Sequence, residues 1–143
     1  MLELAPLVAE TIRVFGQDRT FPATVSFAAR AEPVVDADPG QLRQVLFNLL
    51  RNAAEAMPAG GDIDVALDEQ DGQAVLVVRD RGEGIPAEHQ ERIFEPFFTT
   101  KAGGTGLGLP TVHRIVTDHG GSMAAVSIPG RGTELSVRLP VAR

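Results

Sequence analysis

Apolar and polar positions change period several times along the chain, and each change marks an element. Leu2, Glu3 and Leu4 alternate as a short strand does, and Leu7, Val8, Ile12 and Phe15 then recur at helical spacing until Gly16 breaks the pattern. Residues 24–27 and 34–36 read as a pair of strands. Asp38, Pro39, Gly40 and Gln41 make a helix start: a capping carboxylate, a proline at the first helical position, and a glutamine at the third, placed to close a capping box. The long helix that follows has an apolar stripe of Leu42, Val45, Leu46, Leu49, Leu50, Ala53 and Met57, and it stops at Pro58 and the Gly60-Gly61 turn.

Ile63, Val65 and Leu67 alternate with Asp62, Asp64 and Asp68, and Asp71-Gly72 turns the chain into a second strand over 74–79. Residues 81–104 are loop-rich, with room for one short helical piece after Pro86. A helical pattern resumes over 107–119 with Val112, Ile115 and Val116 inward, and strands over 122–128 and 133–139 flank the turn at Pro129-Gly130-Arg131-Gly132. The sum is an α/β (α+β) two-layer sandwich: about five strands in one mixed, mostly antiparallel sheet, with three helices covering one face. No internal repeat interrupts residues 1–143, so one domain is expected.

Composition narrows the chemistry. At 143 residues and 43% hydrophobic the chain carries enough apolar surface for one core, which excludes disorder. No apolar run approaches the roughly 18 residues of a membrane span, Met1 is not followed by a signal segment, and a cytoplasmic location is expected with no membrane contact by this domain. The absence of cysteine removes disulfides, thiol nucleophiles and sulfur-ligated metals, leaving His89, His113 and His119 for imidazole chemistry. A formal charge of −6, with the 13 basic residues scattered, argues against nucleic acid as a partner.

Four constellations carry possible chemistry. Asn48 and Asn52 lie one turn apart on the long helix, in line with Gln44 and Glu55; a solvated flank is the plain alternative, but paired amide oxygens suit a hard cation beside a polyphosphate without adding negative charge. Asp80-Arg81-Gly82-Glu83-Gly84 leaves a nearly all-apolar strand, which places Asp80 at the strand exit. An ordinary turn would look similar; alternatively, the glycines admit a planar ligand and the carboxylate accepts from an exocyclic amine, which adenine has and guanine lacks at that position. Gly103-Gly104-Thr105-Gly106-Leu107-Gly108-Leu109 opens a helix with exposed N–H groups, an anion site that matches neither the dinucleotide fingerprint nor the P-loop. Lys101, the only lysine beside 12 arginines, stands directly before that loop and suits a moving phosphate. Phe94, Phe97 and Phe98 read as an apolar plug at the loop's base.

In this order the motifs resemble the catalytic ATP-binding domain of sensor histidine kinases, of the GHKL superfamily with its Bergerat fold, shared with type II topoisomerases and mismatch-repair ATPases. Residues 44–56 are similar to the N box, 80–84 to the G1 box, 94–101 to the F box, 104–109 to the G2 box, and Gly130-Arg131-Gly132-Thr133 to the last glycine motif. The resemblance implies Asn52 as Mg²⁺ ligand with Asn48 assisting, Asp80 on the adenine amine, and Thr133 on the adenine side. It implies Gly82, Gly84, Gly104, Thr105, Gly106, Leu107 and Gly108 around the nucleotide, and Lys101 near the phosphates. Residues about 83–104 would form an ATP lid, mobile without nucleotide. Because ligand would be the main partner of Asp80, Asp80→Asn is expected to weaken ATP binding with little loss of stability.

Two positions depart from the pattern. Many members carry a basic and then an aromatic residue where this chain has Glu55 and Ala56, which leaves Lys101 or Arg51 to supply positive charge. Relatives that hydrolyse ATP place a glutamate where this chain has Asn48, which cannot act as a base, so hydrolysis is expected to be slow. None of the three histidines sits beside a carboxylate as the family's phosphoacceptor does. The resemblance therefore implies a piece of a longer kinase that begins just after a dimeric phosphoacceptor hairpin, with no autophosphorylation by the chain alone. It implies Mg²⁺·ATP as donor, the hairpin's histidine as acceptor, and a response regulator downstream. A nucleotide-sensing module without transferase activity, and a stand-alone ATPase or serine kinase, are the alternatives.

Overall fold

The computed structural model describes residues 1–17, 23–82, 108–128 and 130–142. The elements run β1 (Leu2–Glu3), α1 (Leu4–Gly16), β2 (Ala23–Ala29), β3 (Val34–Val35), α2 (Pro39–Glu55), β4 (Gly61–Gln70), β5 (Gln73–Arg79), α3 (Gly108–Asp118), β6 (Ser122–Ile128) and β7 (Gly132–Pro140). Five strands form one sheet in the order β2-β4-β5-β7-β6; β2 and β4 are parallel, and the other neighbours are antiparallel. The two-layer α/β sandwich expected from the sequence is present.

Core packing follows the apolar stripes. On α2, Leu42, Val45, Leu46, Leu49, Leu50, Ala53 and Met57 beyond its end are all buried, and they meet Ile63, Val65 and Leu67 of β4 and Leu135, Val137 and Leu139 of β7 in one cluster. Each large aliphatic side chain so buried contributes roughly 1.5–3 kcal/mol. Val112, Ile115 and Val116 of α3 complete the cluster. Phe15 of α1 meets Phe47 of α2 edge to face, with ring centroids 5.6 Å apart.

The turns behave as their residues require. Asp71 and Gly72, at φ 52° and 75°, join β4 to β5 in the left-handed conformation of a two-residue hairpin.

Two local expectations are corrected. β2 and β3 do not pair with one another: β2 lies parallel to β4, whereas β3 pairs antiparallel with β1, Leu2 opposite Val35. The connection parts them. Arg30 N–H still donates to Leu67 O at 2.8 Å at the end of the β2–β4 ladder, and three residues later Pro33 offers its carbonyl to Leu4 N–H at 3.2 Å. In that pairing Val35, 1% exposed, joins the core cluster. The second correction concerns the start of α2. Asp38 caps it as expected, accepting from Gly40 N–H (2.8 Å) and Gln41 N–H (3.2 Å) behind Pro39, yet Asp38 N–H donates to Nε2 of His119 at 3.3 Å rather than to the Gln41 side chain. His119 Nδ1 lies 2.8 Å from Ile115 O and therefore carries the proton, because a carbonyl only accepts. The capping box is replaced by a bond from the end of α3.

Candidate functional site

β5 is buried through Ala74, Val75 and Val78, and at its exit stands Asp80, 4% exposed. A carboxylate buried there needs partners. Its Oδ1 accepts from Gly82 N–H at 2.9 Å and from Thr133 N–H at 3.2 Å, while Asp80 N–H donates to Thr133 O at 2.9 Å. The β5–β7 ladder thus gains one more rung in which a side chain replaces the backbone acceptor. Backbone groups on two segments therefore depend on the Asp80 side chain.

Glycines set how closely these segments approach. A Cβ at Gly132 (φ +118°) would lie 2.3 Å from Asp80 O, so only glycine lets β7 begin against the strand exit. A Cβ at Gly82 would lie 2.5 Å from the carbonyl oxygen of Ala56, so the turn after Asp80 packs on the end of α2. There Ala56 N–H donates to Asn52 O at 3.2 Å, and the sulfur of buried Met57 accepts from Arg81 N–H at 3.4 Å. Through these contacts the strand exit is tied to the last turn of the helix that carries the paired asparagines.

Asn52 and Asn48 are both half-buried on α2. The Asn48 amide donates to Gly108 O at 3.5 Å, a long bond to the first residue of α3. Because that oxygen only accepts, the bond assigns the amide nitrogen to the α3 side and leaves the Asn48 carbonyl oxygen for another partner. Thr133 is 5% exposed, and its hydroxyl lies 2.9 Å from that of Ser127 across β6–β7.

The structure therefore brings Asp80, Gly82 and Thr133 into direct contact, joins Asn52 to them through Ala56, and links Asn48 to Gly108. Gly84, Lys101, Gly104, Thr105, Gly106 and Leu107, with the expected lid at about 83–104, lie outside the described residues. The aromatic plug of Phe94, Phe97 and Phe98 lies outside them too. Sequence reasoning missed the close packing at Gly132 and the roles of Met57 and Ser127. The Gly-x-Gly-Thr run was a signal for the first, whereas nothing local marks the other two. Among the described residues no group of three or more His, Asp or Glu side chains is arranged to hold a metal ion.

Residues 37–143 match the family described as histidine kinase-, DNA gyrase B-, and HSP90-like ATPase. The chain belongs to that family. Sensor histidine kinase ZraS of Klebsiella oxytoca is 41% identical over 144 residues, covering 98% of this chain and 31% of ZraS. Sporulation kinase A of Bacillus subtilis is 42% identical over 106 residues, 74% of this chain and 18% of that kinase. This chain therefore spans about a third or less of the relatives it matches. Among solved structures, the catalytic domain of histidine kinase ThkA superposes with a TM-score of 0.85 at 33% identity, covering 99% of this chain and 97% of that one. Full-length ShkA in complex with AMPPNP superposes with a TM-score of 0.86 at 29% identity, over 99% of this chain and 30% of that one. This is an ATP-binding domain of the sensor histidine kinase type, and the β5 exit, the end of α2 and the start of α3 are its candidate nucleotide site.

Proposed function

We propose that this domain binds Mg²⁺·ATP at that site and delivers the γ-phosphoryl group to a histidine on a dimeric helical hairpin of a parent sensor kinase in the cytoplasm. The observation that carries the reading is the buried Asp80 carboxylate in its backbone clasp. The N–H groups of Gly82 and Thr133 hold this carboxylate at the strand exit, and a carboxylate is the acceptor that the exocyclic amine of adenine calls for. Thr133 stands on the adenine side, and Gly82 and Gly84 admit the ring. ShkA, a chain of this fold, is solved with AMPPNP, an ATP analogue.

Asn52, with Asn48 beside it, would hold the Mg²⁺. Neutral amide oxygens one turn apart suit a hard ion already shared with phosphates, and the Asn48 amide is turned so that its nitrogen meets Gly108. When bound, the ion would neutralise phosphate charge. A glycine-rich run at 104–108 would offer backbone N–H groups to the phosphates, and Lys101 would supply the charge that Glu55 does not, with about residues 83–104 as the expected lid. In the transfer, the histidine nitrogen bonds to the γ-phosphorus as the bond to the bridging oxygen breaks, and ADP leaves. The protein acts by positioning and electrostatics. Asn48 offers no base to activate water, so ATP survives until the histidine arrives. The phosphohistidine then serves a response regulator.

The test mixes this chain with the hairpin of its parent kinase and γ-labelled ATP. Label on the histidine is the expected result. A folded chain that binds ATP and labels nothing would reduce the function to nucleotide sensing, and rapid multiple-turnover phosphate release would favour a stand-alone ATPase.

A further inference from the structure

Three polar side chains share one rung at the end of the sheet. Ser127 of β6 stands opposite Thr133 of β7, and one residue past the opposed pair of Arg79 and Glu134 the Asp80 N–H donates to Thr133 O at 2.9 Å. Directly opposed residues put their side chains on one face. Thr133 alternates in step with Leu135, Val137 and Leu139, which lie in the core cluster with the helices, so that face is the one turned to the helical layer. Thr133 and Asp80 are both buried, so a hydroxyl and a carboxylate stand together at the polar end of an apolar face.

The bonds of Ser127 decide which of these groups donates. Its hydroxyl carries one proton and lies 3.3 Å from Gly132 O, a carbonyl that only accepts, so that proton goes to Gly132. At the 2.9 Å contact between the two hydroxyls, Thr133 is then the donor. With its proton given to Ser127, Thr133 Oγ1 offers only lone pairs, and so does the carboxylate of Asp80. Two acceptors side by side suit one nitrogen that carries two hydrogens. The exocyclic amine of adenine is such a group, whereas a carbonyl at the same ring position would face two acceptors and gain no bond. We infer that Ser127 is a positioning residue for base selection: by taking the Thr133 proton it holds that hydroxyl as an acceptor, and the edge so completed with Asp80 admits a purine with an amine there and refuses one with a carbonyl. The inference rests on the functional reading above, which places adenine against Asp80, and adds to it a residue of β6 that acts through Thr133.

The test measures, by calorimetry, affinity for ATP and for inosine triphosphate, which carries a carbonyl where adenine has its amine. The unsubstituted chain is compared with Ser127→Ala, Ser127→Thr, Thr133→Val and the double variant Ser127→Ala/Thr133→Val. Ser127→Ala releases the Thr133 proton to meet a carbonyl, so the preference for ATP over inosine triphosphate falls by roughly two- to tenfold, the range of one neutral hydrogen bond. Ser127→Thr keeps a hydroxyl in place and keeps the preference. Thr133→Val lowers the preference by a similar factor, and adding Ser127→Ala to it changes nothing more, since the hydroxyl through which Ser127 acts is gone. A merely structural role for Ser127 weakens both nucleotides alike, so an unchanged ratio in Ser127→Ala overturns the inference and leaves the functional reading standing. A further fall in the double variant overturns it as well. If Ser127→Ala does not fold, full preference in Thr133→Val overturns it in its place. An unsubstituted chain that binds both nucleotides equally overturns the placement of adenine, and the inference with it.

Discussion

Replacing Asp80 by asparagine separates the two duties of this side chain. Oδ1 accepts from the N–H groups of Gly82 and Thr133 at 2.9 and 3.2 Å, and a carboxamide retains both bonds by turning its oxygen to the same side. Its NH₂ then takes the place of the second carboxylate oxygen. Charge-assisted bonds are roughly twice as strong as neutral ones, so the clasp weakens by about 1 kcal/mol, and Tm falls by roughly 3–5 °C. Binding suffers more. A bond from the adenine amine to a charged acceptor, worth about 1.5–3 kcal/mol, becomes a donor facing a donor that costs about 1–3 kcal/mol more. The sum is roughly 2.5–6 kcal/mol, or about seventyfold to somewhat over ten-thousandfold in Kd. Guanine presents a carbonyl at the equivalent position, so the variant gains affinity for GTP relative to ATP. Calorimetric titration with both nucleotides, beside thermal unfolding, measures each duty. ATP affinity within about twofold of the unsubstituted chain, or an unchanged ATP/GTP ratio, refutes the placement of adenine against Asp80. Asp80→Ala would confuse the two duties, because it strands two backbone donors at about 1–3 kcal/mol each.

Gly82→Ala forces a methyl group to 2.5 Å from the Ala56 carbonyl; a loss of about 1–3 kcal/mol in urea unfolding, with weaker ATP binding, is the expected outcome. Asn52→Ala should make ATP affinity insensitive to Mg²⁺ when titrations with metal and with chelator are compared, and retained sensitivity would move the metal elsewhere. Asp38→Ala removes the side chain that caps α2 and should cost about 0.5–2 kcal/mol of stability. Its effect on ATP affinity should stay under about threefold, because at roughly 1.5 Å per residue the cap lies far along α2 from Asn52.

Much of the molecule is legible in local pattern. The α2 stripe, the Asp38-Pro39 start, the Asp71-Gly72 turn and the β6–β7 hairpin all stand where period and turn chemistry place them, because each is decided by residues within a turn or two. Asp80 was legible as a strand-exit carboxylate for the same reason. Its burial was not. The bond to Thr133 spans 53 residues, and the approach of Gly82 to Ala56 depends on how α2 meets β5.

The sequence alone determined which segments are helices and strands, which of their faces are apolar, and which motifs stand in the order of a nucleotide-binding family, since these follow from spacing along one chain. Tertiary structure decided what spacing cannot express: that β3 joins β1 instead of β2, that His119 reaches across to Asp38, and that the strand exit, the end of α2 and the start of β7 close on one carboxylate. Those outcomes depend on which apolar surfaces find one another and on the space left between backbones, quantities that exist only once the layers have packed.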